Sequence, residues 1–334
     1  MIRYFLFGAM VLLISLSCFA GPHSAQFQTS VAPRPNEDIA APCDYDLIIP
    51  DTTHKVQAVW VIFNRNRDTL RLYGDPQVRD LSAKRDIALM LAYHCKSTQS
   101  DEMNMDPKQG LGRALFTALD QFAANTSHKE LSSSKLIYFG FAGTGSLAAR
   151  MVALAPDRAL AAIPFDAGHF DPLGMDTIEL DSKAISVPQL VIANGKDNLC
   201  GTTKPYLYFA KHREKGAPWA FVVQNNLPQC CILKSSHLIV LWLDAVMEDK
   251  LHPAATARTT QNRGLTLFIK REETDTKDGW NAKTSNITAA RSVPSQAAKI
   301  AKDELPAGWL PDQAVADEWL HIVTNKNLPV SASK

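Results

Sequence analysis

Short, largely apolar runs alternate along most of this chain with longer segments whose apolar positions recur every three or four residues. The runs at 56–63 (VQAVWVIF), 87–93 (IALMLAY), 136–139 (LIYF), 160–164 (LAAIP), 187–193 (VPQLVIA) and 219–223 (WAFVV) have strand length. Between them, 76–86, 112–124, 146–154, 205–215 and 238–247 read as helices, with Leu115, Leu119 and Phe122 at helical spacing in the second. Strands without polar alternation are buried on both faces. The pattern therefore predicts an α/β fold, a doubly wound, mostly parallel sheet with helices on both faces, over residues 44–250.

The ends read differently. Arg3 is the only charge before an apolar stretch, which closes on Ser17-Cys18-Phe19-Ala20-Gly21. A basic start, an apolar middle and small residues at the end predict a signal peptide over 1–20 and a secreted or periplasmic product. The alternatives are a retained N-terminal anchor or lipidation of Cys18, although Ser15 stands where a lipobox carries leucine. Residues 21–43, rich in Pro, Ala, Ser and Gln, predict a flexible lead-in. Residues 251–334 predict a C-terminal extension with one strand at 265–269 and a terminal helix over 310–323.

Composition narrows the function classes. Net charge is +1 with Lys and Arg scattered, which gives no footprint for nucleic acid, and no membrane association is expected beyond the signal segment. The chain has no C-x-x-C spacing, so neither a metal nor another cofactor is expected. Six cysteines minus Cys18 leave an odd number, so at least one thiol stays free or pairs between chains.

The segment Leu136-Ile137-Tyr138-Phe139-Gly140-Phe141-Ala142-Gly143-Thr144-Gly145-Ser146 is a strand running through small residues into a helix. It resembles the G-x-S-x-G nucleophile elbow of the secreted α/β-hydrolases, esterase- and depolymerase-like, with Ala142 where that family carries serine. The resemblance covers roughly 56–247. It implies that Asp197, in Asn194-Gly195-Lys196-Asp197, matches the acid and that Gln229 stands at the base position. It further implies oxyanion amides from Gly143 and from Phe63 or Asn64. A methyl group forms no acyl intermediate, and a carboxamide is no general base near neutral pH.

Rescue candidates are Ser146 and Thr144 as displaced nucleophiles and His237 as a displaced base. The hydroxyls are expected to bond amides of the first helical turn, and His237 to pack at a helix start. His169 and His94 end or follow strands and read as loop histidines. The fold resemblance also brings the acid and base loops together, which implies a disulfide between Cys200 and Cys230 or Cys231. Three functions compete. The first is a binder of a small-molecule or polymeric ester-like ligand, without Ser-His-Asp chemistry. The second is an active ester hydrolase, and the third an interaction protein with a closed cleft.

Overall fold

A computed structural model describes residues 24–168, 170, 178–228, 233–251, 265–283, 290–291 and 304–324. The strands are β1 (Ser24–Val31), β2 (Cys43–Pro50), β3 (Ala58–Phe63), β4 (Ile87–Tyr93), β5 (Lys135–Phe141), β6 (Ala159–Phe165), β7 (Gln189–Lys196) and β8 (Trp219–Pro228). Beyond them come β9 (Leu265–Glu273), β10 (Trp280–Lys283), β11 (Ala290–Arg291) and β12 (Glu304–Leu310). The helices are α1 (Arg67–Gly74), α2 (Pro76–Lys84), α3 (Leu111–Asn125), α4 (Gly143–Leu154), α5 (Ser182–Ile185), α6 (Thr203–Arg213), α7 (Ser236–Leu251) and α8 (Gln313–Thr324).

One sheet runs in the order β1-β2-β4-β3-β5-β6-β7-β8-β12-β9-β10, with β11 paired to β9. It is parallel from β4 to β8 and antiparallel outside those strands. Every residue of β3 and β6 is buried, as their unbroken apolar runs require. The helices between strands start on local signals. Asn66 caps α1 in a reciprocal box with Thr69, and Asp75 caps α2 ahead of Pro76. A Cβ on Gly112 would overlap Leu154, so glycine lets α3 approach α4.

Two regions depart from the sequence expectations. Residues 24–31 are not a mobile lead-in. They form β1, paired antiparallel with β2 from Ser24 opposite Pro50 to Val31 opposite Cys43. An edge strand buries only one face, and here Phe27, Thr29 and Val31 turn inward while Gln28 and Ser30 stay exposed, so its composition reads as polar. Among the described residues the C-terminal region carries four strands rather than one, and they continue the sheet past β8. Its polar residues are structural. Asn225 on β8 accepts from the Ala282 amide (2.8 Å) and donates to the carbonyls of Ala282 (2.8 Å) and Val323 (2.7 Å). The terminal helix docks through Trp319, whose indole donates to the Phe221 carbonyl (2.8 Å).

The disulfide among the described residues joins Cys43 to Cys95, with Cα atoms 4.4 Å apart. It closes the β2–β4 pair, where Asp44 lies opposite Tyr93. By loop entropy, a crosslink over 52 residues stabilises by roughly 4 kcal/mol. Cys200 is buried and bonds no cysteine among the described residues; Cys230 and Cys231 lie outside them. Residues 1–20 also lie outside, and among the described residues no helix is long and apolar enough to cross a membrane.

Candidate functional site

Strand β5 reverses into α4 across one residue, Ala142, with φ 52° and ψ −120°. For a residue with a Cβ this backbone costs on the order of 1–3 kcal/mol and persists only where its surroundings over-determine it. They do so here. The Ala142 amide donates to the Phe165 carbonyl at the end of β6 (2.9 Å), and its carbonyl accepts from Gly145 (3.0 Å) and Ser146 (3.2 Å). A Cβ on Gly140 would overlap the Thr144 carbonyl, and one on Gly145 would lie 2.9 Å from the Phe165 carbonyl. Thr144 Oγ1 accepts from the Phe141 amide at the end of β5 and donates to its carbonyl, both at 2.9 Å, so this hydroxyl closes the turn onto the strand. Ser146 behaves otherwise: its Oγ is buried with no partner among the described residues.

Ala142 and Gly143 lie on the floor of a cavity of about 670 Å³. Gly143 opens α4, so its amide has no acceptor within the helix. Met105 reaches to 3.6 Å from where a Gly143 Cβ would stand. Met105 belongs to a strap after Cys95 that walls the cavity through Ser97, Gln99, Glu102 and Asn104, facing Arg65, which pairs with Glu102. Asp38 anchors the strap. Burial opposes its charge, but hydrogen bonds from Ser97 (2.6 Å), Thr98 and Asn104 (2.5 Å) outweigh that and lower its pKa to about 2.

Of the two expected second oxyanion positions, Asn64 has its amide engaged elsewhere. The Asn64 amide is committed to the Ala92 carbonyl at 2.9 Å, because the β3–β4 ladder runs one residue beyond β3. Phe63 pairs with Ala92 in that ladder and turns its ring onto Tyr138. The next amide, on Arg65, donates to Thr69 Oγ1 (3.1 Å).

Asp197 follows β7 and is buried. Its Oδ1 accepts from the amides of Leu199 (2.7 Å) and Cys200 (3.0 Å). Its other oxygen is buried without a hydrogen-bond partner among the described residues, and the carboxyl of Asp166, at the end of β6, lies close enough to feel its charge. Burial, then the Asp197 charge, drives the Asp166 pKa well above the ordinary carboxylate range. Asn194 supports the pair, donating to both Asp166 oxygens (3.1 and 3.0 Å). Cys200 lines the same cavity as Ala142 and hydrogen bonds Asp197. Burial and the two carboxyls push its thiol up to about 12, which leaves it protonated.

The C-terminal region grips this acid loop. The Asp278 carbonyl accepts from the amides of Thr202 (2.9 Å) and Thr203 (3.3 Å), and Asn281 exchanges two hydrogen bonds with Asn226 on β8.

His237 lies away from this floor. It is exposed at the start of α7, its Nδ1 2.8 Å from Gln77 on α2, and it does not line the cavity. The neighbouring helix outcompetes the cleft for its ring. His94 bonds Asp44 (2.8 Å). Gln229 and His169 lie outside the described residues. Among the described residues no cluster could hold a metal ion. The sequence reading missed Asp166, the strap and Arg65. A lone acidic residue closing a fully apolar strand was the available signal for the first.

No family model matches the sequence, and no curated protein matches it. Among solved structures, a ferulic acid esterase superposes with a TM-score of 0.50 at 11% identity, covering 67% of this chain and 97% of that one. Two structures of a hyperthermophilic esterase from the archaeon Pyrobaculum calidifontis match with a TM-score of 0.46. Their identities are 15% and 14%, covering 68% of this chain and 85% and 84% of theirs. The first likeness, together with the parallel sheet and the turn at Ala142, shows an α/β-hydrolase fold.

Proposed function

We propose that this chain is an exported α/β-hydrolase-fold protein that holds an ester-like ligand, free or in a polymer, above Ala142 without Ser-His-Asp chemistry. The observation that carries this reading is the Ala142 backbone, φ 52° and ψ −120°, beside the Gly143 amide, which has no acceptor within its helix, and under a cavity of about 670 Å³. A nucleophile elbow has this shape so that its side chain stands in the cleft; here that side chain is a methyl group, which cannot attack. The Gly143 amide remains to accept a ligand carbonyl, a binding term that survives loss of a triad. Further support comes from Asp197, whose Oδ1 is spent on two loop amides rather than on a base. Neither Thr144 nor Ser146 lines the cavity, which weighs against a displaced nucleophile. Export draws support from the Cys43–Cys95 disulfide, a bond that persists in oxidising compartments.

The test is hydrolysis of p-nitrophenyl butyrate by the mature protein. We expect no turnover above buffer, and a gain on combining Ala142→Ser with Gln229→His. Wild-type turnover that Ser146→Ala or Thr144→Val abolishes would refute the reading.

A further inference from the structure

Among the described residues that line the cavity above Ala142, Arg65 is the only cation. Its backbone is fixed: the amides of Arg65 and Asn66 both donate to Thr69 Oγ1 at 3.1 Å, in the capping box that starts α1. Its side chain is 26% exposed, and the Cys200 side chain on the cavity floor is near enough to act on the guanidinium electrostatically. Burial presses the Arg65 pKa down, yet a guanidinium keeps its charge in a folded protein.

The three carboxylates on the same lining differ as partners for it. Asp38 is spent on the strap: its Oδ2 accepts from Ser97 (2.6 Å) and Asn104 (2.5 Å), and its Oδ1 from the Thr98 amide (2.8 Å). Asp106 Oδ1 accepts from the Lys108 amide (3.0 Å). Glu102 is the one that pairs with Arg65 among the described residues, and its side chain is 53% exposed. An ion pair this open to water contributes little, so its carboxylate is replaceable. Other polar groups of the strap turn on one another. Asn104 Oδ1 accepts from the Asp106 amide (2.7 Å), and Ser97 Oγ from the Gln99 amide (3.0 Å).

We propose that Arg65 determines the specificity of this site, selecting ester-like ligands that carry a carboxylate of their own. That carboxylate takes the place of Glu102 on the guanidinium, while the ester carbonyl lies at the Gly143 amide. A half-ester of a dicarboxylic acid is the simplest member of the class. The assignment rests on the proposed binding of a ligand above Ala142. A planar guanidinium holds a carboxylate through two parallel hydrogen bonds, and a ligand that covers the pair keeps water from weakening it. Were the Arg65–Glu102 pair a latch that holds the strap in place, loss of the Glu102 charge would loosen the wall and weaken binding. As a replaceable counter-ion, Glu102 is instead a competitor, and its loss strengthens binding.

Calorimetric titration of the full mature chain with monomethyl adipate and with dimethyl adipate tests it. The half-ester should bind about tenfold more tightly than the diester. Arg65→Met should erase that preference. Glu102→Gln should tighten the half-ester about threefold and leave the diester unchanged. Thermal unfolding is the folding control, and Glu102→Gln, at an exposed position, reads the proposal even if Arg65→Met unfolds. A preference that survives Arg65→Met, or a half-ester that binds Glu102→Gln more weakly, would overturn it. Equal binding of the two esters would overturn it too, and would leave a ligand above Ala142 standing. Hydrolysis of the half-ester with the preference intact would instead overturn the reading at Ala142 and leave the role of Arg65 standing. A chain that binds neither ester loses both.

Discussion

The ends of β5 and β7 meet on the floor of one cavity, through Ala142 and Gly143 from the first and Leu199 and Cys200 from the second. After β5 the backbone is unusual and the side chain inert: Ala142 holds a positive φ to present a methyl group. After β7 the side chain is reactive in kind but engaged, since Asp197 spends one oxygen on two loop amides and lies beside the Asp166 carboxyl. Packing explains the first. The elbow is fixed by Gly140, Gly145 and the Phe165 carbonyl, none of which depends on what Ala142 carries. Electrostatics explains the second. A buried carboxylate needs donors or a cation; here two loop amides donate to it, and its charge helps raise the pKa of the neighbouring Asp166.

Four substitutions bear on this contrast. The largest loss is expected at the elbow. Gly140→Ala drives a Cβ into the Thr144 carbonyl and should destabilise by about 3 kcal/mol or more in denaturant unfolding. A loss under about 1 kcal/mol would mean that packing does not fix the turn.

Next is Asn225→Ala, which strands three backbone groups of the C-terminal region and should cost about 2–3 kcal/mol. Hydrogen exchange should rise at Trp280–Lys283. Unchanged protection there would make the extension an appendage rather than part of the sheet.

The acid pair gives a smaller effect with a defined sign. Because folding raises the Asp166 pKa, its contribution is fully present below about pH 4 and is lost as pH rises toward the folded value. Asp197→Asn removes the neighbouring charge, so it should stabilise by about 1–2 kcal/mol at neutral pH, with the advantage vanishing toward about pH 4. Thermal melts across that range check it, and a uniform loss at all pH values would show that the Asp197 charge does not act on Asp166. The smallest change is Ala142→Gly. It relieves the positive φ at the cost of backbone entropy and should raise stability by up to about 1 kcal/mol.

How much of this was legible in the sequence follows from where each signal resides. The strands β3 to β8 were readable because each contains an apolar run buried on both faces. β1 was not, because an edge strand with Gln28 and Ser30 facing water looks like a linker. α1 was not, because its start falls in a polar stretch where Asn66 and Thr69 form a capping box. At the site, Gly140 and the small residues after Ala142 announced the turn, a local property. The Cys43–Cys95 bond, the Asp166–Asp197 contact and the capture of the Asn64 amide by Ala92 are matters of strand register between distant segments. His237 had the same defect as a candidate: its spacing suited a base, but Gln77 on another helix decides where its ring goes.

The central claim is that the elbow keeps its shape without a nucleophile, and intact-mass spectrometry of the mature protein after treatment with a fluorophosphonate tests it most directly. The account predicts an unshifted mass for the wild type and a single adduct in Ala142→Ser with Gln229→His. A wild-type adduct that disappears in Ser146→Ala or Thr144→Val would contradict it.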